Sequence, residues 1–232
     1  MLSCMDLKNF FPNIPAARVQ ALFAKLGYPA GVAGALARLC VNRTPAGVLL
    51  QRPDGTPLPW AERQPFRSPH LPQGSPCSPA AANLCAYRLD LRLSALAQSL
   101  GACYSRYADD LVFSGGPQFA RAVGRFCART GAIAIEEGFI VNTKKTRAMR
   151  AGARQQVTGV VVNRHPNLAR AEFDLLKATL TNCVRHGPAS QNRGRRDNFR
   201  GHLDGKVAYP SMLNAARGAR LRQVFDAIDW AA

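Results

Sequence analysis

The chain has 232 residues, 47% of them hydrophobic, which suits one large domain or two small ones with a real core and excludes a disordered polymer. Its 31 Lys and Arg against 14 Asp and Glu leave a formal charge of +17. That excess favours a polyanionic partner, with nucleic acid the first reading, an anionic lipid surface the second, and mere solubility the bland one. Seven scattered cysteines without a CxxC pair argue against a disulfide framework and against structural zinc. With no long apolar run and no signal-peptide pattern, the expectation is a soluble, cytoplasmic protein with no membrane partner.

In chain order, MLSCMDLKNFF starts as an apolar, strand-like run ending at Asp6. Beyond Pro12 and Pro15, Ala16 to Leu26 and Gly31 to Cys40 read as two helices with one apolar face each. Thr44 to Pro79 is rich in Pro and Gly, and runs such as GVLLQ read as a hairpin or loop. Ser78 or Pro79 then opens one long helix through about Leu100. Residues 102 to 114 alternate as two short strands about Ala108 and Asp109. A helix over Gln118 to Glu137 follows, then short strands near Phe139 to Val141, Arg147 to Arg150 and Val157 to Val162. Ala169 to His186 is helical, PASQNRGRRDN (188 to 198) is a basic linker of low expected order, and Phe199 to Leu213 and Ala219 to Ile228 close the chain as helices. The shift from mixed to helical composition places a domain boundary near Asn163.

One stretch breaks the pattern. YSRYADDLVFS (104 to 114) sets Asp109 and Asp110 side by side among residues that favour strands, where Asp is depleted and like charges repel. A turn is the plain reading. The other is a hairpin tip presenting carboxylates to divalent cations, with Asp6 at the end of its own apolar run as a third ligand. Metal would also relieve the repulsion.

YADD (107 to 110) resembles the catalytic signature of reverse transcriptases, and four further strings resemble that family's motifs in order. CMDLKNFFPNI (4 to 14) is similar to the first palm motif, and LPQGSPCSPAAANL (71 to 84) to the motif between the two aspartate motifs. GFIVNTKKTRAM (138 to 149) is similar to the next, and QQVTGVVVN (155 to 163) to the primer-grip region. Together with LDLRL (89 to 93), the fit is best to retron-type and other bacterial enzymes. It is strong over 1 to 163 and weak over the tail.

The resemblance implies an α+β fold: a palm of antiparallel strands backed by helices with partial fingers and primer-grip strands (1–163), then a helical thumb (164–232). It implies an RNA-directed DNA polymerase that uses two Mg²⁺ ions, with Mn²⁺ a workable substitute, held by Asp6, Asp109 and Asp110. Phe11 stands where the family uses an aromatic side chain to exclude a ribose 2′-hydroxyl, with plain core packing as the other reading. Gln73 and Gly74 would lie against the incoming dNTP and template, and Lys145 near the leaving pyrophosphate, where Lys144 is an equal chemical candidate. Val157, Thr158 and Gly159 match a triplet that helps retron enzymes recognise a cognate structured RNA, or form a tight turn. The tail's twelve Lys and Arg against six Asp and Glu suit a thumb on a duplex of RNA template and primer. Arg193, Arg195 and Arg196 are either phosphate contacts or a solvated loop. An effector protein and antiphage defence are further associations of the family.

The family also carries a fingers segment ahead of the first palm aspartate, whereas five residues precede Asp6. Arg52, Arg63 and Arg67 are what a later stretch offers in its place. The start is then misplaced or the chain truncated, or another chain supplies the fingers, or the module is a catalytically weak binder of structured RNA or a partner chain.

Overall fold

The computed structural model describes residues 1–50 and 54–230; Arg52 lies outside the described residues. The chain divides into two compact units, Met1–Arg150 and Ala151–Ala232.

The first unit is α+β. Its sheet has the order β2 (Ala102–Tyr107), β3 (Asp110–Gly115), β1 (Leu2–Lys8), β4 (Ile140–Val141), with β5 (Arg147–Met149) also on β1, and every pairing is antiparallel. The central strand β1 (Leu2–Lys8) is buried along nearly its whole length, because β3 (Asp110–Gly115) flanks one edge and two short strands share the other. β4 (Ile140–Val141) meets Leu7 and Lys8, and β5 (Arg147–Met149) meets Leu2 to Cys4. Between them the ladder is interrupted opposite Met5 and Asp6. β2 (Ala102–Tyr107) and β3 form the expected hairpin, in which Leu111 and Phe113 are fully buried and alternate with less buried neighbours, the period of a strand with one face on a core.

Helices cover that buried face. α5 (Tyr87–Gln98) presents Leu89, Leu93 and Ala97, and α6 (Pro117–Glu136) presents Phe119, Phe126, Thr130 and Ala134, each a stripe at helical spacing. Phe126 meets Phe113 edge-on at 4.7 Å and Phe119 at 4.9 Å. The turn into α6 is tight: a Cβ on Gly115 would come within 2.7 Å of Phe119 Cβ. α1 (Ala16–Lys25) and α2 (Ala30–Cys40) pack on one another as expected.

Two expectations change. The single long helix from Ser78 is two, α4 (Ser78–Cys85) and α5, bent at Ala86. Ala86 is fully buried, and its small side chain lets the chain redirect α4 onto α1 and α5 onto the sheet. The Pro-rich stretch expected as a hairpin or loop instead holds a 3₁₀ turn (Ala46–Leu49) and a helix, α3 (Trp60–Arg67). Pro65 inside α3 obscures its periodicity in the sequence, but an eight-residue helix capped by Pro59 tolerates it.

The second unit begins ahead of the expected boundary at Asn163, so the QQVTGVVVN segment belongs to it. That segment is a hairpin, β6 (Gln156–Val157) with β7 (Val160–Val161), which pairs with itself. The Asn163 side chain closes the preceding loop by donating to the carbonyls of Ala151 and Ala153 and accepting from the Gln155 N–H. The contacts are local, which is why the segment separates from the sheet. α7 (Arg170–His186), α8 (Phe199–Leu213) and α9 (Ala215–Asp226) follow, around Leu176, Leu180, Leu203, Val207, Leu221 and Phe225. Asn198 caps α8 and Asn214 caps α9 through their side-chain oxygens, so α9 starts earlier than the Ala219 expected. The basic linker is folded: Pro188–Ser190 form a 3₁₀ turn, and Asn192 brackets Arg196 by bonding both its N–H and its carbonyl. Among the described residues, no helix is long and apolar enough to cross a membrane.

Candidate active site

Register brings the first two aspartates together. Asp6 on β1 lies directly opposite Asp110 on β3, so the two side chains share one face of the sheet. Asp109 sits in the two-residue turn between β2 and β3, and its carbonyl accepts from the Leu7 N–H at 2.9 Å, which ties the turn to β1. All three aspartates line one cleft of about 400 Å³ with Cys4, Met5, Lys145 and Arg147.

The local charge is visible in Asp110. Burial pushes its carboxyl above the ordinary range, the charges of Asp109 and then Asp6 push it further, and Lys145 pulls the other way. Lys145 pairs with the cluster: its Nζ donates to Asp6 Oδ2 at 3.0 Å, and Asp6 raises its proton affinity in turn. The other Asp6 oxygen, Oδ1, accepts from Asn142 Nδ2 at 3.1 Å. The interruption between β4 and β5 makes this possible, because the Asn142 N–H bonds the Asp6 carbonyl and the turn carries Lys145 back over the strand. Among the described residues no three acidic, cysteine or histidine side chains are gathered round one point as they stand. The donor set nonetheless fits a hard divalent cation, offering carboxylate oxygens from three aspartates that line one cleft.

Behind the hairpin lies support that the sequence did not disclose. Arg106, almost fully buried, grips Asp90 on α5 with Nε and Nη2, both at 2.7 Å. Tyr104 donates its hydroxyl to the same carboxylate at 2.7 Å, and burial, with that bond, raises the phenol's pKa. Arg106 also donates to the carbonyl of Ala108, whose φ of 52° is a strained value for a residue with a side chain, and its guanidinium lies over the Phe10 ring at 5.4 Å. One side chain therefore fixes the turn that carries Asp109 and joins it to the segment carrying Phe11. Arg106 is buried but Asp90 is partly exposed, so removing one partner costs less than the about 3–5 kcal/mol of a fully buried pair. Both residues stand in the motif strings, LDLRL and YSRYADD, but nothing in either string says that they pair.

A second cleft, about 290 Å³, opens on the other side of Asp109. Phe11, Gln73 and Asp109 line it, with Asn42, Phe66 and His70. Phe11 is half-buried and meets Phe10 edge-on at 5.3 Å. Gly74, next to Gln73, adopts φ +93°, a conformation that favours glycine. Asp109 belongs to both clefts, so the structure brings Asp6, Asp109, Asp110, Lys145, Phe11 and Gln73 into one continuous region. His70 and Asn42 are additional lining residues; their backbones bridge one another with bonds of 2.9 Å each way.

The remaining candidates lie in the second unit. Thr158 and Gly159, both at positive φ, are the two-residue turn of the β6–β7 hairpin, with Val157 ending β6, so the tight-turn geometry is present. Arg193, Arg195 and Arg196 are exposed on the closed loop before α8.

Known proteins match most of this chain. The family model for reverse transcriptase (RNA-dependent DNA polymerase) matches residues 1–179. The chain belongs to that family. It is 40% identical over 222 residues to the retron Mx65 reverse transcriptase of Myxococcus xanthus, covering 94% of this chain and 47% of that one. To the retron Mx162 reverse transcriptase of the same organism it is 36% identical over 229 residues, covering 92% and 44%. To the retron Ec86 reverse transcriptase of Escherichia coli it is 29% identical over 177 residues, covering 76% and 47%. The chain spans about half the length of these relatives. Among solved structures, a telomerase from Candida albicans in complex with a fragment of telomeric RNA has a TM-score of 0.47 at 9% identity, over 96% of this chain and 40% of that one, a likeness too slight to argue from.

Proposed function

We propose that the chain carries RNA-directed DNA polymerase activity of retron type, adding deoxynucleotides to a primer 3′-hydroxyl on an RNA template. The observation that carries this reading is Asp109, shared between a cleft of three carboxylates and a cleft lined by Phe11 and Gln73.

Asp6, Asp109 and Asp110 would hold Mg²⁺, with Mn²⁺ as substitute; when bound, the metal activates the hydroxyl and stabilises the leaving pyrophosphate. The chain's own groups do the rest. Phe11 occupies the cleft where a ribose 2′-hydroxyl would clash, so deoxynucleotides are selected by exclusion. Gln73 and the Gly74 backbone lie where nucleotide and template approach. Lys145 balances the carboxylate charge at Asp6 in this structure and would serve the leaving pyrophosphate in this reading. Arg106 keeps the Asp109 turn in place. The second unit is the helical thumb in this reading, with the Val157–Gly159 turn and Arg193, Arg195 and Arg196 toward primer duplex or a cognate structured RNA.

Primer extension on an RNA template with Mg²⁺ and dNTPs tests the proposal, with Asp109→Asn/Asp110→Asn as the control. Extension that disappears in the double variant, while its melting and RNA binding persist, is the expected result. RNA binding without extension in the unaltered chain would sink the polymerase reading and leave an RNA-binding module.

A further inference from the structure

Two thiols distant in the chain meet beside the cleft of Phe11 and Gln73. Cys40 ends α2, and Cys77 stands immediately ahead of α4. The backbones of Asn42 and His70 bridge one another antiparallel, so the chain just before Asn42 and the chain just after His70 leave the bridge on the same side. The Ser78 hydroxyl then donates to the Pro72 carbonyl at 2.6 Å, which turns the head of α4 back toward that side. There the Cys40 thiol donates to the Cys77 sulfur, and Ser75 Oγ lies 3.1 Å from the same sulfur.

The two thiols are not equivalent. Cys40 is partly buried against the core, and burial, ahead of its bond to Cys77, holds its proton more tightly than an ordinary thiol does. Cys77 is exposed, so an oxidant in solution reaches it first. The chain between them, residues 41–76, supplies Asn42, Thr44, Phe66, His70, Pro72 and Gln73 to the cleft, whose remaining lining is residues 9–12 and Asp109. A bond between Cys40 and Cys77 closes that chain into a loop and removes the arrangements in which its ends part.

We propose that Cys40 and Cys77 are a reversible redox-modification site, a dithiol that a small-molecule disulfide converts to a protein disulfide, pinning one wall of the cleft. Cys77, its proton given to water, attacks one sulfur of the small disulfide; a mixed disulfide forms at Cys77 and one thiolate leaves. Cys40, deprotonated in turn, attacks the Cys77 sulfur; the bond between the two protein sulfurs forms and the second small thiolate leaves. The protein has lost two electrons and two protons, and the small disulfide has become two thiols. The new bond is about 2.05 Å long, so sulfurs already in hydrogen-bond contact close it by a short approach. Such a pair opens and closes, unlike the framework that the cysteine spacing excludes.

The test treats the full, reduced chain with oxidised glutathione under native conditions, quenches with acid, alkylates the remaining thiols and maps the peptides. The expected product is a peptide pair joined through Cys40 and Cys77, lost again on dithiothreitol. Cys40→Ser should instead retain glutathione at Cys77, whereas Cys77→Ser should leave Cys40 as a thiol. Hydrogen exchange over residues 42–44 and 66–73 should slow in the oxidised chain and recover with reductant. The Cys40→Ser chain, treated alike, should show no slowing. Alkylation of both cysteines after treatment overturns the proposal. So does glutathione persisting at Cys77 of the unaltered chain, or a bond from either cysteine to a different one or to a second chain. Unchanged exchange in a chain that carries the bond overturns the effect on the wall. Primer extension plays no part in the test, so the polymerase reading can fail without touching this one.

Discussion

Asp110 shows in one residue what the site demands of the fold. Burial, and then the carboxylates beside it along the chain and across the ladder, hold its proton more tightly in the folded chain than an ordinary carboxyl holds it. The sign follows from linkage. A carboxyl whose folded pKa is raised contributes stability below its unfolded value, and that contribution is lost as pH rises through the folded value. Metal-free Asp110→Asn is therefore expected to melt higher than the unaltered chain at neutral pH. The difference should shrink toward acid, read by thermal melting in chelator across the acid-to-neutral range. Equal melting at neutral pH would mean that Lys145 already cancels the repulsion.

At the scale of elements, the two units are assembled by different means. In the first, a sheet with one covered face dictates alternation in β3 and stripes on α5 and α6, and those patterns stand in the sequence. In the second, α8 and α9 approach so closely that there is no room for a side chain at the crossing. A Cβ on Gly218 would lie 2.3 Å from Ser211 Cα, and backbone cannot yield as a flexible side chain would. Gly218→Ala is expected to lose about 1–3 kcal/mol or more in chemical denaturation. An unchanged unfolding midpoint would show that the two helices can move apart. The α4–α5 bend and α3 were hidden for opposite reasons. Ala86 carries no breaker, so an apolar run reads straight through it, while Pro65 looks like a breaker inside a helix short enough to accept it.

For the whole molecule the dominant quantity is charge. A formal +17 gives a long-range attraction to nucleic acid that is independent of sequence and released by salt. If binding engages six or more phosphates, affinity for an RNA–DNA duplex should fall about 10³-fold between roughly 50 and 200 mM salt. The check is a titration series against ionic strength, and a flat response would remove the electrostatic argument for a nucleic-acid partner.

Composition, order of motifs and local periodicity sufficed for the family, for most of the elements, and for bringing forward Asp6, Asp109, Asp110, Phe11 and Gln73 as candidates, because each of these is a property of residue type at a fixed spacing along the chain. The pairing of Arg106 with Asp90, the seat of Lys145 on Asp6 and the bend between α4 and α5 came only from tertiary structure. Those features depend on which distant residues a ladder register or a helix crossing sets side by side. Register is decided by the packing of the whole sheet, and a string of letters carries it only indirectly.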